Sequence, residues 1–458
     1  MSSLPNELWW KIIAHSISLG SDLAMVKPST EHLHPFFPGS ISGFTDTHFY
    51  SSQLVMWKRS NIIAYNFVQV NRLWRGIAER FLYSAFYVEE EWRLQRFIDT
   101  IKLNPNLADQ LRTLVILPRV CTRAVEEACF DPLIVQVLSL CHGILAIVMR
   151  SYVLSSNHRL LRSPEPSRRL HLLSALHLRD EEFPLFIISF DHYGSLQVLE
   201  LSVNSVDGHK LPSFPGPITF PSLHALLLGS LDPLALNVVG KWELPSLKEL
   251  SISRWNPLIS TALFPLIQRS FERLEFLDAC VDLLHDRAFH DIIRAPPSHL
   301  RNVTLNLATS AHSSPPMYPA TKPLFRHVVT LGIGKFGMIR PGDEPAWVRF
   351  FSDPTSMPHL RSVVTDVTIG LVSFCVDGGL PLLEVLRSLE KVLEARGVAF
   401  KGATNDNSTF VPIELPQEGT PKVRMSLLSH GSTLISPLPA SECRPRKLGS
   451  IQALNSIH

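Results

Sequence analysis

Hydrophobic positions along this chain follow two rhythms in succession. Near the start they fall four residues apart: Leu8 with Ile12, and Trp9 with Ile13 and Ile17. That is helical spacing, and it predicts a short helix over residues 1–17, opened by Leu4-Pro5, because proline suits a first helical turn where its missing N–H costs nothing. Two stripes make an apolar face wider than one small helix can bury alone. The helical rhythm returns over residues 61–98. There Val70, Trp74, Ile77 and Phe81 recur at three to four residues, while Asn71, Arg72, Arg75, Glu79 and Arg80 point the other way. Between the two, residues 18–60 hold Gly20, Pro28, Pro35, Pro38, Gly39 and Gly43, which predicts a long loop or insertion.

From about residue 107 the rhythm changes to a weak repeat, L-x-x-L-x-L with Ile and Val tolerated. Its first positions fall at Leu111, Ile144, Leu173, Leu196, Leu223, Leu247, Leu274, Leu300, Val328 and Leu360. Several units place proline just before this run (Pro221-Ser-Leu223, Pro245-Ser-Leu247, Pro358-His-Leu360), where a strand begins and no ladder donor is needed. The leucines point into a shared core. The positions between them face the other side of a sheet by the period of two. Intervening segments such as residues 282–293 are expected to be helical and to cover the back. No such unit buries its apolar face alone, so neighbours must stack. The expected fold is therefore an α/β (or α+β) solenoid behind N-terminal helices. The division is residues 1–98 with the inserted loop 18–60, an array over 107–400, and a mostly disordered tail over 401–458 rich in Ser, Thr, Pro and Gly, with a transient strand near 423–428. The array closes with a helix over 381–396, apolar at Leu382, Leu386, Leu389 and Leu393, and a short strand at 398–400. Residues 132–149 carry no formal charge but are interrupted at Gln136, Ser139, Cys141, His142 and Gly143, so they predict a buried helix, a turn and a buried strand rather than a membrane span.

Composition narrows the function. With 43 Lys+Arg against 41 Asp+Glu the net charge is +2, which argues against a dedicated nucleic-acid binder. Hydrophobic residues at 45% argue against a wholly disordered chain. Six cysteines without a C-x-x-C pair suggest buried free thiols in a reducing compartment. The first residues lack a basic and apolar leader, so secretion is not expected, and the triplets Asn302-Val-Thr and Asn407-Ser-Thr are expected to be silent. Gly332-Ile-Gly334-Lys-Phe-Gly337 matches a dinucleotide fingerprint, but Pro341 and Pro345 follow where a helix is required, so the glycines are expected to form a bend after a strand. Asp282, Asp286 and His290 would share a helix face without aligning as metal ligands do, and a solvated helix is expected. No nucleophile elbow, phosphate loop or kinase set is present. No cofactor, metal or catalytic residue is assigned.

The opening Leu4-Pro5-Asn6-Glu7-Leu8, the pair Ile12-Ile13, the segment Val70-Asn71-Arg72-Leu73-Trp74-Arg75 and the later Phe81-Leu82-Tyr83 resemble an F-box. The chain as a whole resembles the F-box-like proteins, common in fungi, that follow this box with irregular leucine-rich repeats. Two departures stand out. The insertion separates the box's halves, and the Asn expected eight residues after the first leucine occurs at Asn204 but not at Leu231, Trp255, Asp282 or Ala308. The resemblance implies that the box docks on the Skp-type linker of a cullin–RING ubiquitin ligase through Leu4, Pro5, Leu8, Ile12, Val70 and Trp74. It also implies that the repeats hold a protein substrate. The strand positions facing away from the leucines, among them Glu200, Ser202, Glu249, Ser251, Asp278, Asn302 and Thr304, are the candidates to face that substrate. They form a mixed, mildly acidic surface suited to protein rather than nucleic acid. The expected role is a non-enzymatic, intracellular substrate adaptor in the cytosol or nucleus. A scaffold without ligase activity and an enzyme on an irregular α/β array are the alternatives.

Overall fold

A computed structural model describes residues 6–18, 62–88, 90–116, 124–149, 170–179, 183, 193–204, 218–252, 257–286, 299–307, 325–334, 344–355, 357–368, 380–403 and 410–412. Within them the chain is an α/β fold around one sheet. Its strands run in chain order: β1 (Ala85–Val88), β2 (Thr113–Ile116), β3 (Ala146–Met149), β4 (Leu172–Arg179), β5 (Val198–Asn204), β6 (Ala225–Leu231), β7 (Glu249–Ile252), β8 (Phe276–Cys280), β9 (Asn302–Asn306), β10 (Thr330–Gly334), β11 (Ser362–Thr368), β12 (Ala399–Ala403) and β13 (Phe410–Pro412). The first twelve are parallel and each pairs with its sequence neighbours, while β13 runs antiparallel to β12. The sheet does not close into a barrel.

Parallel neighbours need a connection that returns the chain to the starting side. Helices supply several of these. After α1 (Asn6–Ser18), α2 (62–70) and α3 (Arg72–Leu82) come α4 (Glu91–Leu103), α5 (Ala124–Leu140), α6 (Pro233–Val239), α7 (Pro257–Ser270), α8 (Glu344–Ser352) and α9 (Leu380–Ala395). Local chemistry starts α6: Asp232 is extended, its carboxylate accepts from the Leu234 N–H at 2.7 Å, and Pro233 occupies the first turn. Helix neighbours then lock together. A Cβ on Gly240 would strike the Ala262 carbonyl oxygen, so only glycine lets α6 approach α7 this closely. Arg269 ties the same corner by donating to the Gly240 and Trp242 carbonyls at 2.7 and 3.1 Å.

The second leucine of each repeat builds the main core. Leu114, Ile147, Leu173, Leu199, Leu226, Leu250, Leu277, Val303, Leu331, Val363 and Phe400 are register partners in succession, and all are buried. The structure corrects several expectations. The sheet begins at Ala85, inside the segment assigned to the first domain, because four residues are too few for periodicity to separate a strand from helix. It also continues past residue 400, to Ala403 and then β13. The third repeat opens at Leu170 rather than Leu173. Leu173 pairs with Leu199, and the apolar run Leu172-Leu173 fits the template in two frames that only the ladder distinguishes.

Val281–His285 is a 3₁₀ turn with Val281, Leu283 and Leu284 buried, so the helical face proposed for Asp282 and Asp286 does not form there. Among the described residues no group of His, Cys, Asp and Glu could hold a metal. Gly332 and Gly334 lie within β10 instead of a bend, and a Cβ on Gly332 would meet the Thr304 hydroxyl at 2.5 Å. The uncharged stretch 132–149 divides into the end of α5, a turn at Cys141–Gly143 and β3. No helix among the described residues is long and apolar enough to cross a membrane. Ser18, expected to open the loop 18–60, still belongs to α1, and the rest of that loop, the strand near 423–428, His290 and Gly337 lie outside the described residues.

Candidate functional site

The first candidate surface is the helical module at the start of the chain. Asn71 caps α3 in an extended conformation, its side chain accepting from the Trp74 N–H at 2.9 Å. Arg75 Nε donates to the Val68 carbonyl at 3.3 Å and fastens α3 to α2. The inner stripe of α1 fills the module's own core. Ile13, Ala64, Ile77 and Ala78 are buried, and Trp9, Phe67 and Trp74 pack around them. The Trp9 and Trp74 rings lie 4.8 Å apart at 49°, and Phe67 meets Trp74 edge-on at 5.3 Å.

The outer stripe has no such cover. Leu8 is 42% exposed, Ile12 46% and Val70 54%. Ile62, Tyr65 and Leu73 are also exposed and were not singled out from the sequence. A signal was available for the first two, since Ile62 and Tyr65 stand three residues apart on a helix whose other face packs inward. Trp74 departs from its expected role. It is half-buried in the module's core, so its ring holds the helices together rather than standing outside for a partner. Leu4 and Pro5 lie outside the described residues.

No linker separates this module from the sheet. Helix α3 ends at Leu82, Tyr83 closes onto the Glu79 carbonyl, and β1 starts at Ala85. Ser84 between them accepts from the Arg112 and Thr113 N–H groups at 2.8 and 3.0 Å. The Tyr83 and Phe86 rings lie against Phe97 of α4 at 6.5 and 4.1 Å. Burial, with Glu79 adding to it, raises the Tyr83 hydroxyl above its ordinary pKa.

The second candidate surface is the sheet face opposite the leucine core. The sequence-predicted positions do come into register in two rows: Phe276 lies between Glu249 and Asn302, and Asp278 lies between Ser251 and Thr304. Ser251 Oγ donates to Asp278 Oδ2 at 2.8 Å. Their exposure is the correction. Ser251, Asp278 and Thr304 are each 3% exposed and Ser202 is also buried, so a macromolecule does not reach them in this state. Short side chains on strands ~4.8 Å apart are shielded by larger neighbours on the same face, and Leu227 is the register partner of Ser251. Glu200, Glu249 and Asn302 are half-buried and remain accessible in part. Toward β3 the same face turns apolar, with Ala146, Leu172, Val198 and Ala225 packed together.

Glu249 is the electrostatically unusual member. Burial first, then the nearby Glu275 carboxylate, push its pKa up to about 8, with Lys248 opposing. Lys248 Nζ itself pairs with Glu275 at 2.8 Å. A carboxyl held above its unfolded value binds its proton more tightly when folded. Its contribution to stability is therefore full at acidic pH and is lost as pH rises from about 4.5 to about 8. Glu249→Gln removes that titration. The expected result is a melting temperature that falls less between pH 5 and 8.5 than the wild type's, the variant being more stable by about 2–4 kcal/mol at the alkaline end. Parallel melting curves for the two proteins across that range would contradict the assignment.

The thiols are suited to packing. Cys141 and Cys280 are buried and in no disulfide, and burial with help from Asp109 pushes Cys141 up to about 12, which leaves it a thiol rather than a reactive thiolate. Compared with models of known protein families and with curated proteins, the chain matches none of them.

Proposed function

We propose that this chain is a non-catalytic adaptor whose N-terminal helices dock on a Skp-type linker of a cullin–RING ubiquitin ligase while the repeat array presents a target protein. The carrying observation is the outer stripe of the helical module: Leu8, Ile12, Val70 and their neighbours stand exposed although the inner stripe of the same helices is sealed. Isolated exposed leucines are ordinary, but several large apolar side chains on one small helical unit favour a partner. The array fits the second half of the role. Twelve parallel strands in chain order with helical returns suit an uneven leucine-rich-repeat solenoid, a platform whose units touch only their neighbours. The direct junction at Tyr83–Ala85 would fix the target's distance from the ligase, so the adaptor contributes proximity and orientation.

The test is capture of the full-length chain by a purified Skp-type linker. Wild type is expected to bind. Leu8→Asp is expected to lose at least about tenfold in affinity, because a large apolar side chain buried against a partner contributes ~1.5–3 kcal/mol and a charge there would sit unpaired. Unchanged binding by Leu8→Asp, with its fold intact by circular dichroism, overturns the docking role. Binding followed by no ubiquitin transfer to co-purified proteins in a reconstituted ligase would favour a scaffold.

A further inference from the structure

Outside the docking helices, the large apolar side chains that stand exposed among the described residues are Trp92, Leu103 and Leu234. The first two belong to one helix, α4, which joins β1 to β2. Trp92 is 53% exposed and Leu103 81%. With Arg96 and Asp99, both exposed, they follow the spacing i, i+4, i+7 and i+11, a single stripe down the helix. Leu94, Phe97, Ile98 and Ile101 are buried on the opposite face, so the stripe points straight away from the core. Its tryptophan is already held in place. The Trp92 Nε1–H donates to Glu90 Oε2 at 2.7 Å, and the Arg93 and Arg96 guanidinium groups lie 5.3 and 5.7 Å from the ring centroid. Glu90 also pairs with Arg93 at 3.3 Å. A large aromatic ring fixed in this way loses little rotamer freedom on meeting a partner, which is the character of an interface anchor.

We propose that this stripe is the contact of a symmetric homodimer, and that its occupant is α4 of a second copy of the chain. The stripe is complementary to itself. In a twofold interface each contact occurs twice, once from either copy. An antiparallel second α4, related by an axis level with the midpoint between Phe97 and Ile98, sets Trp92 opposite Leu103 and Arg96 opposite Asp99 at the same time. Each apolar side chain then meets an apolar one, and each charge meets its opposite. On one flank, the exposed Glu91 and Lys102 of the two copies come within one turn of each other, again with opposite sign. Arg93, on the other flank, is occupied by Glu90. A parallel copy would instead set Arg96 against Arg96 and Asp99 against Asp99, which like charges oppose. A helix of 13 residues is about 20 Å long, so the contact sits at the small end of specific interfaces and reversible association at micromolar concentration is expected. None of the residues assigned to linker docking belongs to α4, and the dimer stands without that role. Two arrays in one assembly would hold a bivalent target by avidity.

The experiment is sedimentation equilibrium of the full-length chain from about 1 to about 200 μM, the range in which a small interface associates. Wild type is expected to pass reversibly from monomer to dimer. Arg96→Asp and Asp99→Arg each bring like charges together at two symmetric places, and each is expected to weaken self-association by about tenfold or more. An equal mixture of the two variants restores opposite charges at both places. The mixture is therefore expected to dimerise again although neither variant does so alone, and that recovery itself shows the variants to be folded. A chain that stays monomeric at every concentration overturns the proposal. So do charge-reversal variants that dimerise as strongly as wild type, or a mixture that remains monomeric.

Discussion

Ile13→Asp is expected to unfold the N-terminal helical module, whereas the same change one residue earlier, at Ile12, leaves it folded. Ile13 is fully buried among Ala64, Ile77 and Ala78, while Ile12 lies 46% exposed on the opposite stripe. Replacing Ile13 deletes a well-packed aliphatic side chain and places a carboxyl where nothing solvates it. The combined loss is about 4 kcal/mol or more, comparable with the whole stability of a small unit. Ile12→Asp removes partial burial alone and should stay under about 1 kcal/mol. Hydrogen–deuterium exchange across residues 62–82 reads the difference, with protection lost in the first variant and kept in the second. Equal protection in both would mean that the two stripes are not divided as described.

Trp347→Ala is expected to destabilise the C-terminal end of the array by about 3–5 kcal/mol, the range for truncating a buried aromatic to alanine. Trp347 is fully buried on α8, stacked on Phe351 at 5.9 Å and edge-on to Phe350 at 6.0 Å. The segment it supports is closed by Arg396, whose guanidinium donates to the Phe351 carbonyl at 2.5 Å and the Met357 carbonyl at 2.9 Å across the gap between α8 and α9. Each strand pairs only with its sequence neighbours, so the damage should stay local. Urea unfolding followed by circular dichroism, with exchange resolved by peptide, should show early opening confined to about residues 325–403 and little change in β2 through β6. A uniform loss of protection along the whole sheet would contradict local coupling.

Much of the architecture was legible in the residues. The leucine template marked nearly every strand because a core built from one repeated inward position leaves a period in the chain. The alignment of Asp278 between Ser251 and Thr304 followed from the same offset within each unit. Legibility failed where the local signal was short or degenerate. Ala85–Val88 is too brief to announce itself. Leu170 and Leu173 both satisfy the template, and the 3₁₀ turn after β8 borrows helical spacing without continuing as a helix.

The candidate surfaces divide in the same way. Periodicity could say that α1 carries two apolar stripes, because spacing along a helix is a property of the chain alone. It could not say which stripe the second and third helices would cover, since that depends on contacts between residues far apart in sequence: Trp9 with Trp74, and Ile13 with Ala64 and Ile77. Alternation likewise assigned Ser202, Ser251, Asp278 and Thr304 to the face away from the leucines, and tertiary packing then buried them there. Which side of a strand or helix a residue occupies is decided by backbone geometry. Whether that side meets water is decided by what packs across it, and only the assembled fold supplies the neighbour.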